Sequence, residues 1–412
     1  MRPLTHADAA ALAAAHGTPL YLYDAQTLVE QARAALAFPN AFGLTVRYAV
    51  KAAANAAILR LFAGLGLHFD ASSGWEAHRL LRAGIPGAGI SLSAQELPDD
   101  FAALARLGVS INACSLQQLD RYGAALPGAE VGLRFNPGLG SGSSRHTNVG
   151  GPGSSFGIWH EHIPAVRALL QRHGLTPFRV HTHIGSGADP AVWQRAATLS
   201  LDTVRAFPAV RVFNLGGGFK VARMPDETGT DLQVVGAPIA EMIRAFAAET
   251  GRRLHFEIEP GTFLVANAGA VLARVHDVTD TGPAGRRFLK LDTGMTEILR
   301  PALYGARHPI SILQATPATR AHAYVVVGHC CESGDILSTA PGEPAVIATR
   351  QLPAATPGDF ALIGGAGAYC SAMAAQHYNS FPAAPELLRE ADGAFRLIRR
   401  RQTLDDVVAH EL

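Results

Sequence analysis

Eight apolar, β-branched runs recur along the first two-thirds of the chain, near residues 46–50, 67–71, 89–93, 109–112, 131–135, 179–184, 211–215 and 255–259. Ala/Leu-rich stretches with helical spacing separate most of them, such as Trp75 to Ala83 and Asp100 to Leu107. Strands covered on both faces read as continuous apolar runs, and strands alternating with helices make a parallel sheet. Eight such repeats are the arithmetic of an α/β fold, a (β/α)8 TIM barrel. A doubly wound open sheet is the alternative, and the missing Gly-rich first turn counts against it.

The texture changes after about residue 265. Val271 to Val278, Phe288 to Asp292, Ala323 to Val327, Ala345 to Ala348 and Phe360 to Ile363 read as strands at short spacing with Gly/Pro turns between them. That pattern predicts an all-β sandwich or barrel. Residues 19–24 form a further strand ahead of a first helix near Gln26, and the strand is expected to join this second domain. The expected division is a barrel over 27–265 and a β-rich domain from 1–26 with 266–412. The Gly/Ser-rich segment 136–157, with Arg145, His146 and Asn148, reads as a long loop after the fifth strand, either functional or disordered.

A chain of 412 residues, 48 % hydrophobic and 17 % charged, can bury large cores. A net charge of +1 without a basic tract leaves no footprint for a nucleic acid. No apolar run is long enough to span a bilayer, and the start lacks the layout of a secretory signal. Four cysteines, two of them adjacent, do not make a disulfide framework. The expectation is a cytoplasmic protein with reduced thiols and a small-molecule substrate.

Barrel enzymes gather their chemistry at the carboxyl ends of the strands. The first run, Arg47-Tyr48-Ala49-Val50-Lys51, ends in a lone lysine followed by a helix-forming stretch. Burying an ammonium is costly, so such a lysine either reaches solvent or serves as an amine that condenses with an aldehyde cofactor. The second run delivers Asp70 with Ser72 and Ser73. The sixth delivers His183-Ile184-Gly185-Ser186. The seventh ends in Gly216-Gly217-Gly218, whose exposed N–H groups can cradle a phosphate, helped by a helix N-terminus. The eighth ends in Glu259-Pro260-Gly261; Glu257 and Glu259 share one face, positioned either for a pyridinium nitrogen or for a salt bridge with Arg or Lys. His181 and His183 also have the spacing of a zinc pair, but no further ligands accompany them and no metal is expected. In the second domain, Cys330 to Asp335 crowds thiols and acids into a turn, and Tyr369 follows Gly367 and Ala368.

Taken in order, Tyr48-Ala49-Val50-Lys51, His183 to Ser186, Gly216 to Gly218, Glu259 to Gly261, Arg300-Pro301-Ala302-Leu303-Tyr304, Cys331 to Asp335 and Gly367 to Tyr369 resemble the diaminopimelate decarboxylases, fold type III pyridoxal phosphate enzymes of the alanine-racemase-like group. The resemblance runs from about residue 19 to the end. It implies that Lys51 anchors pyridoxal 5'-phosphate and that His183 stacks on its ring. It implies that Ser186, Gly216, Gly217, Gly218, Gly261 and Tyr369 bind the phosphate, that Glu259 meets the ring nitrogen, and that Asp70 lies near the anchor. Cys331 and Glu332 would come from the partner subunit of a homodimer with shared active sites, Cys331 as proton donor and Glu332 as reader of the distal amine. Arg300 and Tyr304 would contact the distal end of the substrate.

Two positions depart from the family pattern. Thr262 stands where the family's Glu-Pro-Gly motif continues with arginine, and Asn379-Ser380-Phe381-Pro382 has Phe381 for another arginine. A desolvated arginine–carboxylate contact is worth about 2–5 kcal/mol. Its loss points to a substrate without the second carboxylate, namely D-lysine or D-ornithine, with Thr262 lining the substrate site. The alternatives are meso-diaminopimelate decarboxylation to L-lysine, a metal-dependent barrel hydrolase, and an inactive partner-binding relative.

Overall fold

Alternating strands and helices close a cylinder in the computed structural model, which describes residues 1–141 and 149–412. Its eight parallel strands are Leu44–Ala49, His68–Ala71, Ile90–Leu92, Ser110–Ala113, Glu130–Asn136, Thr176–Thr182, Val212–Asn214 and His255–Ile258. Each pairs with the next, and the last pairs back onto the first with Phe256 opposite Leu44. The expected (β/α)8 barrel is therefore what the chain forms. The loop residues Arg145, His146 and Asn148 lie outside the described residues.

Local chemistry sets the helix starts. Asn55, Ser73, Ser115 and Asp231 each accept a backbone N–H from the first turn of the helix that follows. Aromatic rings fill the layer between helices and strands: Phe38 lies 5.8 Å from both Phe219 and Phe256, and Trp193 stacks on Phe219 at 4.6 Å. The first strand stops at Ala49. Lys51 sits in a single 3-10 turn, Val50–Ala52, and the helix opens only at Ala56, so the lysine stands on a rigid elbow between the two.

The chain divides into two compact units, one of residues 31–220 with 228–264, the other of 1–30, 221–227 and 265–412. The excursion 221–227 into the second unit is too short for strand spacing to register. Most strands of this unit join one nine-stranded mixed sheet. Leu20–Asp24, buried throughout, runs antiparallel to Gly269–Asp280 and parallel to Glu386–Arg389. Four of its strands escaped the sequence reading: Ile310–Leu313, Arg350–Pro353, Glu386–Arg389 and Phe395–Arg399. So did a helix ahead of Gln26, His6–His16, which opens on a reciprocal Thr5–Asp8 cap. Ala9, Leu12 and Ala13 of this helix pack with Leu20, Leu22, Leu272, Phe360 and Leu387. Among the described residues no helix is long and apolar enough to cross a membrane.

Candidate active site

The interior of the barrel is a column of charge. Arg47 Nη2 donates to Glu257 Oε1 at 2.7 Å, and Arg179 Nε lies 2.9 Å from Glu257 Oε2. Arg179 Nη1 reaches Ser91 Oγ at 3.0 Å and Asn112 Oδ1 at 3.2 Å. All five side chains are buried. Burial pushes the Glu257 carboxyl up, but the two guanidiniums outweigh it and bring its pKa to about 2. Of the two sequence-level readings of Glu257 and Glu259, Glu257 takes the salt bridge.

Asn214 carries the column upward. It stands opposite Glu257 on one neighbouring strand and opposite His181 on the other. Its amide donates to Glu257 Oε2 at 3.1 Å and to Glu259 Oε1 at 2.7 Å, while its oxygen accepts Gly216 N at 2.7 Å. Glu259 Oε2 lies 3.0 Å from His181 Nε2. Burial opposes ionisation of Glu259, yet the contacts from His181 and then the Asn214 amide prevail and hold its pKa well below the usual carboxylate range. Burial keeps His181 neutral, so its Nε2–H donates to the Glu259 carboxylate. An ionised carboxylate therefore sits fixed at the mouth.

His183 occupies the same mouth. Its Nδ1 accepts Gly217 N at 3.2 Å, which places the remaining ring proton on Nε2. Burial first, then the charge of Lys51, drives its pKa well below the ordinary value, and the imidazole is neutral. His181 and His183 are thus committed to Glu259 and to the glycine turn rather than to a shared metal. Asp70 is pushed well above the carboxylate range by burial and by Glu259, against the opposing pull of Lys51 and Arg134. Its Oδ1 is buried with no protein partner.

The glycine turn is forced by close approach. A Cβ on Gly217 would fall 1.9 Å from the Glu259 carbonyl, and one on Gly218, at φ +107°, would fall 1.7 Å from the Gly185 carbonyl. Gly187 N donates to Gly218 O at 3.1 Å, so the turn holding Ser186 and the triple-glycine turn are tied together. Thr230 Oγ1 fastens the pair by accepting Lys220 N and donating to Gly187 O. The helix N-terminus expected to help this turn is not at its end. The next helix starts at Leu232, well past Gly218, so the turn itself supplies the N–H groups. Gly261 follows on the eighth strand, with Ala49 and Ala52 against the space its missing Cβ leaves. Thr262 opens the short helix Thr262–Val265.

The remaining predicted residues lie in the β-rich unit. Arg300 and Tyr304 begin and end one short helix. Tyr369 holds a left-handed backbone at φ 55°, as do His377, Asn379 and Ser380. Asn379 Oδ1 accepts Cys331 N at 2.9 Å and so ties the Cys331-Glu332 loop to the Asn379–Phe381 segment. Cys331 and Glu332 are exposed. Phe381 stacks on His329, with centroids 3.7 Å apart and planes within 7°. The arginine expected at this position is replaced by packing.

The mouth residues fit pyridoxal 5'-phosphate. Lys51 supplies an amine, Glu259 an ionised carboxylate for a pyridine nitrogen, and the glycine turn exposed N–H groups for a phosphate. The buried, unpartnered Asp70 Oδ1 is a further polar atom that such a ligand would pair. Sequence reasoning found these strand-end groups and missed Arg47, Arg179 and Asn214, which hold them. The repeated polar residue at alternate strand positions (Arg179 and His181, Glu257 and Glu259) was the available signal.

A family model described as pyridoxal-dependent decarboxylase, pyridoxal binding domain, matches residues 26–266. The diaminopimelate decarboxylase of Streptomyces coelicolor is 40 % identical over 413 residues, covering 98 % of this chain and 91 % of that protein. A crystal structure of a diaminopimelate decarboxylase superposes with a TM-score of 0.91 at 35 % identity, covering 99 % and 97 % of the two chains. The enzyme from Helicobacter pylori in complex with L-lysine gives 0.84 at 28 % identity, covering 98 % of each. A closed barrel carrying Lys51, His183 and Glu259 at its mouth, together with these likenesses, places the chain in the diaminopimelate decarboxylase family of fold type III, pyridoxal phosphate-dependent carboxy-lyases.

Proposed function

We propose that this enzyme decarboxylates meso-diaminopimelate at its D-configured carbon, releasing CO2 and L-lysine. The observation that carries the reading is the Lys51, His183 and Glu259 mouth in a chain whose full-length relatives bear that activity in their names. The reading of D-lysine or D-ornithine, drawn from Thr262 and Phe381, has less support. Phe381 is occupied in stacking on His329, and a cation the motif reading overlooked, Arg223, lies near Arg300.

Lys51 Nζ would hold pyridoxal phosphate covalently through its amine. When bound there, pyridoxal phosphate would supply an electron sink for decarboxylation. Glu259 keeps its negative charge through His181 and Asn214 and so would keep a pyridine nitrogen protonated. Neutral His183 presents an uncharged ring face. Gly217, Gly218, Ser186, Gly261 and Tyr369 would hold the cofactor's phosphate. Cys331 Sγ–H returns a proton to the α-carbon, and Glu332 reads the distal amine, both reaching the neighbouring subunit's site in a homodimer. Mixing inactive Lys51→Ala and Cys331→Ala enzymes restores part of the activity if the sites are shared, and none if each subunit is self-sufficient.

The direct test offers meso-diaminopimelate, D-lysine and D-ornithine to the cofactor-loaded enzyme and measures released CO2. The reading predicts kcat/KM highest for meso-diaminopimelate by about 100-fold or more, the scale of a charge-assisted contact. A higher value for D-lysine or D-ornithine overturns it.

A further inference from the structure

Arg223 lies in the 221–227 excursion, within the β-rich unit. Its Nε donates to the Gly365 carbonyl at 2.9 Å. Its Nη2 is buried and has no hydrogen-bond partner. Gly365 makes room for it: at φ +64°, a Cβ there would press on Arg223 Cγ at 2.9 Å.

Arg300 is anchored to the same turn by a relay. Its Nη1 lies 3.2 Å from His308 Nε2, and His308 Nδ1 lies 2.9 Å from the Gly364 carbonyl. A carbonyl only accepts, so Nδ1 carries the proton and Nε2 accepts from Arg300. His308 is buried and neutral, its pKa driven well down by burial and then by the charges of Arg300 and Arg223. Two guanidiniums thus hang from consecutive carbonyls, Gly364 and Gly365. Among the described residues, no carboxylate lies within 4.0 Å of either, whereas the neighbouring Arg307 pairs with both Asp226 and Glu227. Burial, then the charge of Arg300, lowers Arg223 to about 9. Two like charges held together in low-dielectric surroundings, one with an orphaned N–H edge, are complementary to an anion. The planar, forked edge suits a carboxylate.

We propose that Arg223 and Arg300 together bind the substrate's second, distal carboxylate, Arg223 supplying the cation that Thr262 lacks. The inference rests on the function proposed above, since only a dicarboxylic substrate needs the second cation. It adds a binding residue that the family motifs do not contain.

Arg223→Gln and Arg223→Lys in the cofactor-loaded enzyme test it. Three quantities are read: kcat and KM for meso-diaminopimelate, the Kd of pyridoxal phosphate by visible titration, and calorimetric binding of L-lysine against cadaverine, which has the amines but no carboxylate. Arg223→Gln is expected to raise KM about 30-fold with a much smaller fall in kcat. It weakens L-lysine by a similar factor, leaves cadaverine within about 3-fold, and leaves the cofactor's Kd in place. Arg223→Lys, which keeps the charge but not the fork, falls between. Equal losses for L-lysine and cadaverine, or no loss for either, overturn the inference. A weakened cofactor with unchanged L-lysine binding overturns it too, by assigning the cation to the phosphate. A wild-type enzyme inactive on meso-diaminopimelate removes the functional reading and this inference with it; an active wild type indifferent to Arg223 removes the inference alone.

Discussion

Asn214 donates to Glu259 Oε1 across 2.7 Å inside the barrel, and the same amide reaches Glu257 Oε2 at 3.1 Å. One neutral side chain therefore bridges two buried carboxylates that have different tasks. Below it, Glu257 neutralises Arg47 and Arg179. Above it, Glu259 faces the mouth with His181 as its other partner. Because Asn214 Oδ1 also accepts Gly216 N, the contact fixes the start of the glycine turn as well.

Replacing this amide should expose that double role. Asn214→Leu strips both carboxylates of a donor and leaves Gly216 N unpaired, a loss of about 3 kcal/mol. Calorimetric unfolding should show the lowered Tm, and titration with pyridoxal phosphate should show weaker binding. A variant as stable as the parent would remove Asn214 from the account.

Glu259→Gln keeps the shape of the side chain and removes its charge. The expected result is a cofactor still bound at Lys51, with kcat reduced about 10²- to 10³-fold, the scale for loss of one preorganised electrostatic group. Steady-state kinetics with matched cofactor occupancy would measure it. An unchanged kcat would mean that the carboxylate does not face the ring nitrogen.

Glu257 gives the stability an acid limb. Its folded pKa of about 2 lies below the ordinary value of 4.5, so its contribution is complete above pH 4.5 and is lost as pH falls through 2. The swing is on the order of 3 kcal/mol. Denaturant titrations at pH 2 to 5 should show stability rising with pH over this window, and Glu257→Gln should flatten the rise. A variant with the parent's slope would contradict the pairing with Arg47 and Arg179.

Glu297 works in the opposite sense. Burial raises it to about 7 against the hydroxyl donors Thr296 and Thr293. Folding favours its protonated form, so a penalty grows as pH rises from 4.5 and is complete above 7. Glu297→Gln should therefore gain in Tm relative to the parent as pH rises from 5 to 8. A difference independent of pH would show that the carboxyl titrates normally.

Much of the barrel was legible because buried parallel strands must be apolar runs, and Lys51, Glu259 and the triple glycine interrupt that rule where the runs end. What holds them was not legible. Arg179 and Arg47 sit inside strands, where the same rule expects apolar side chains, and pairing with Glu257, far away in sequence, makes their burial tolerable, with Ser91 and Asn112 as further partners of Arg179. The helix His6–His16 was missed because its alanines give little amphipathic contrast, although the Thr5–Asp8 cap marks its start. Glu386–Arg389 and Phe395–Arg399 are short and partly polar; they pair with each other, and Glu386–Arg389 also pairs with Leu20–Asp24. Arg223 carried no motif at all; its meaning depends on Gly365 and Arg300, which lie far along the chain.

The anchor itself is the most direct test of the whole account. Purified enzyme loaded with pyridoxal phosphate should be coloured, and borohydride should bleach it while adding the reduced cofactor's mass to the peptide containing Lys51 and to no other. Lys51→Met protein should remain colourless under the same treatment and lose at least about 10³-fold in activity. Label recovered on another lysine, or a Lys51→Met enzyme that turns over at the parent's rate, would contradict it.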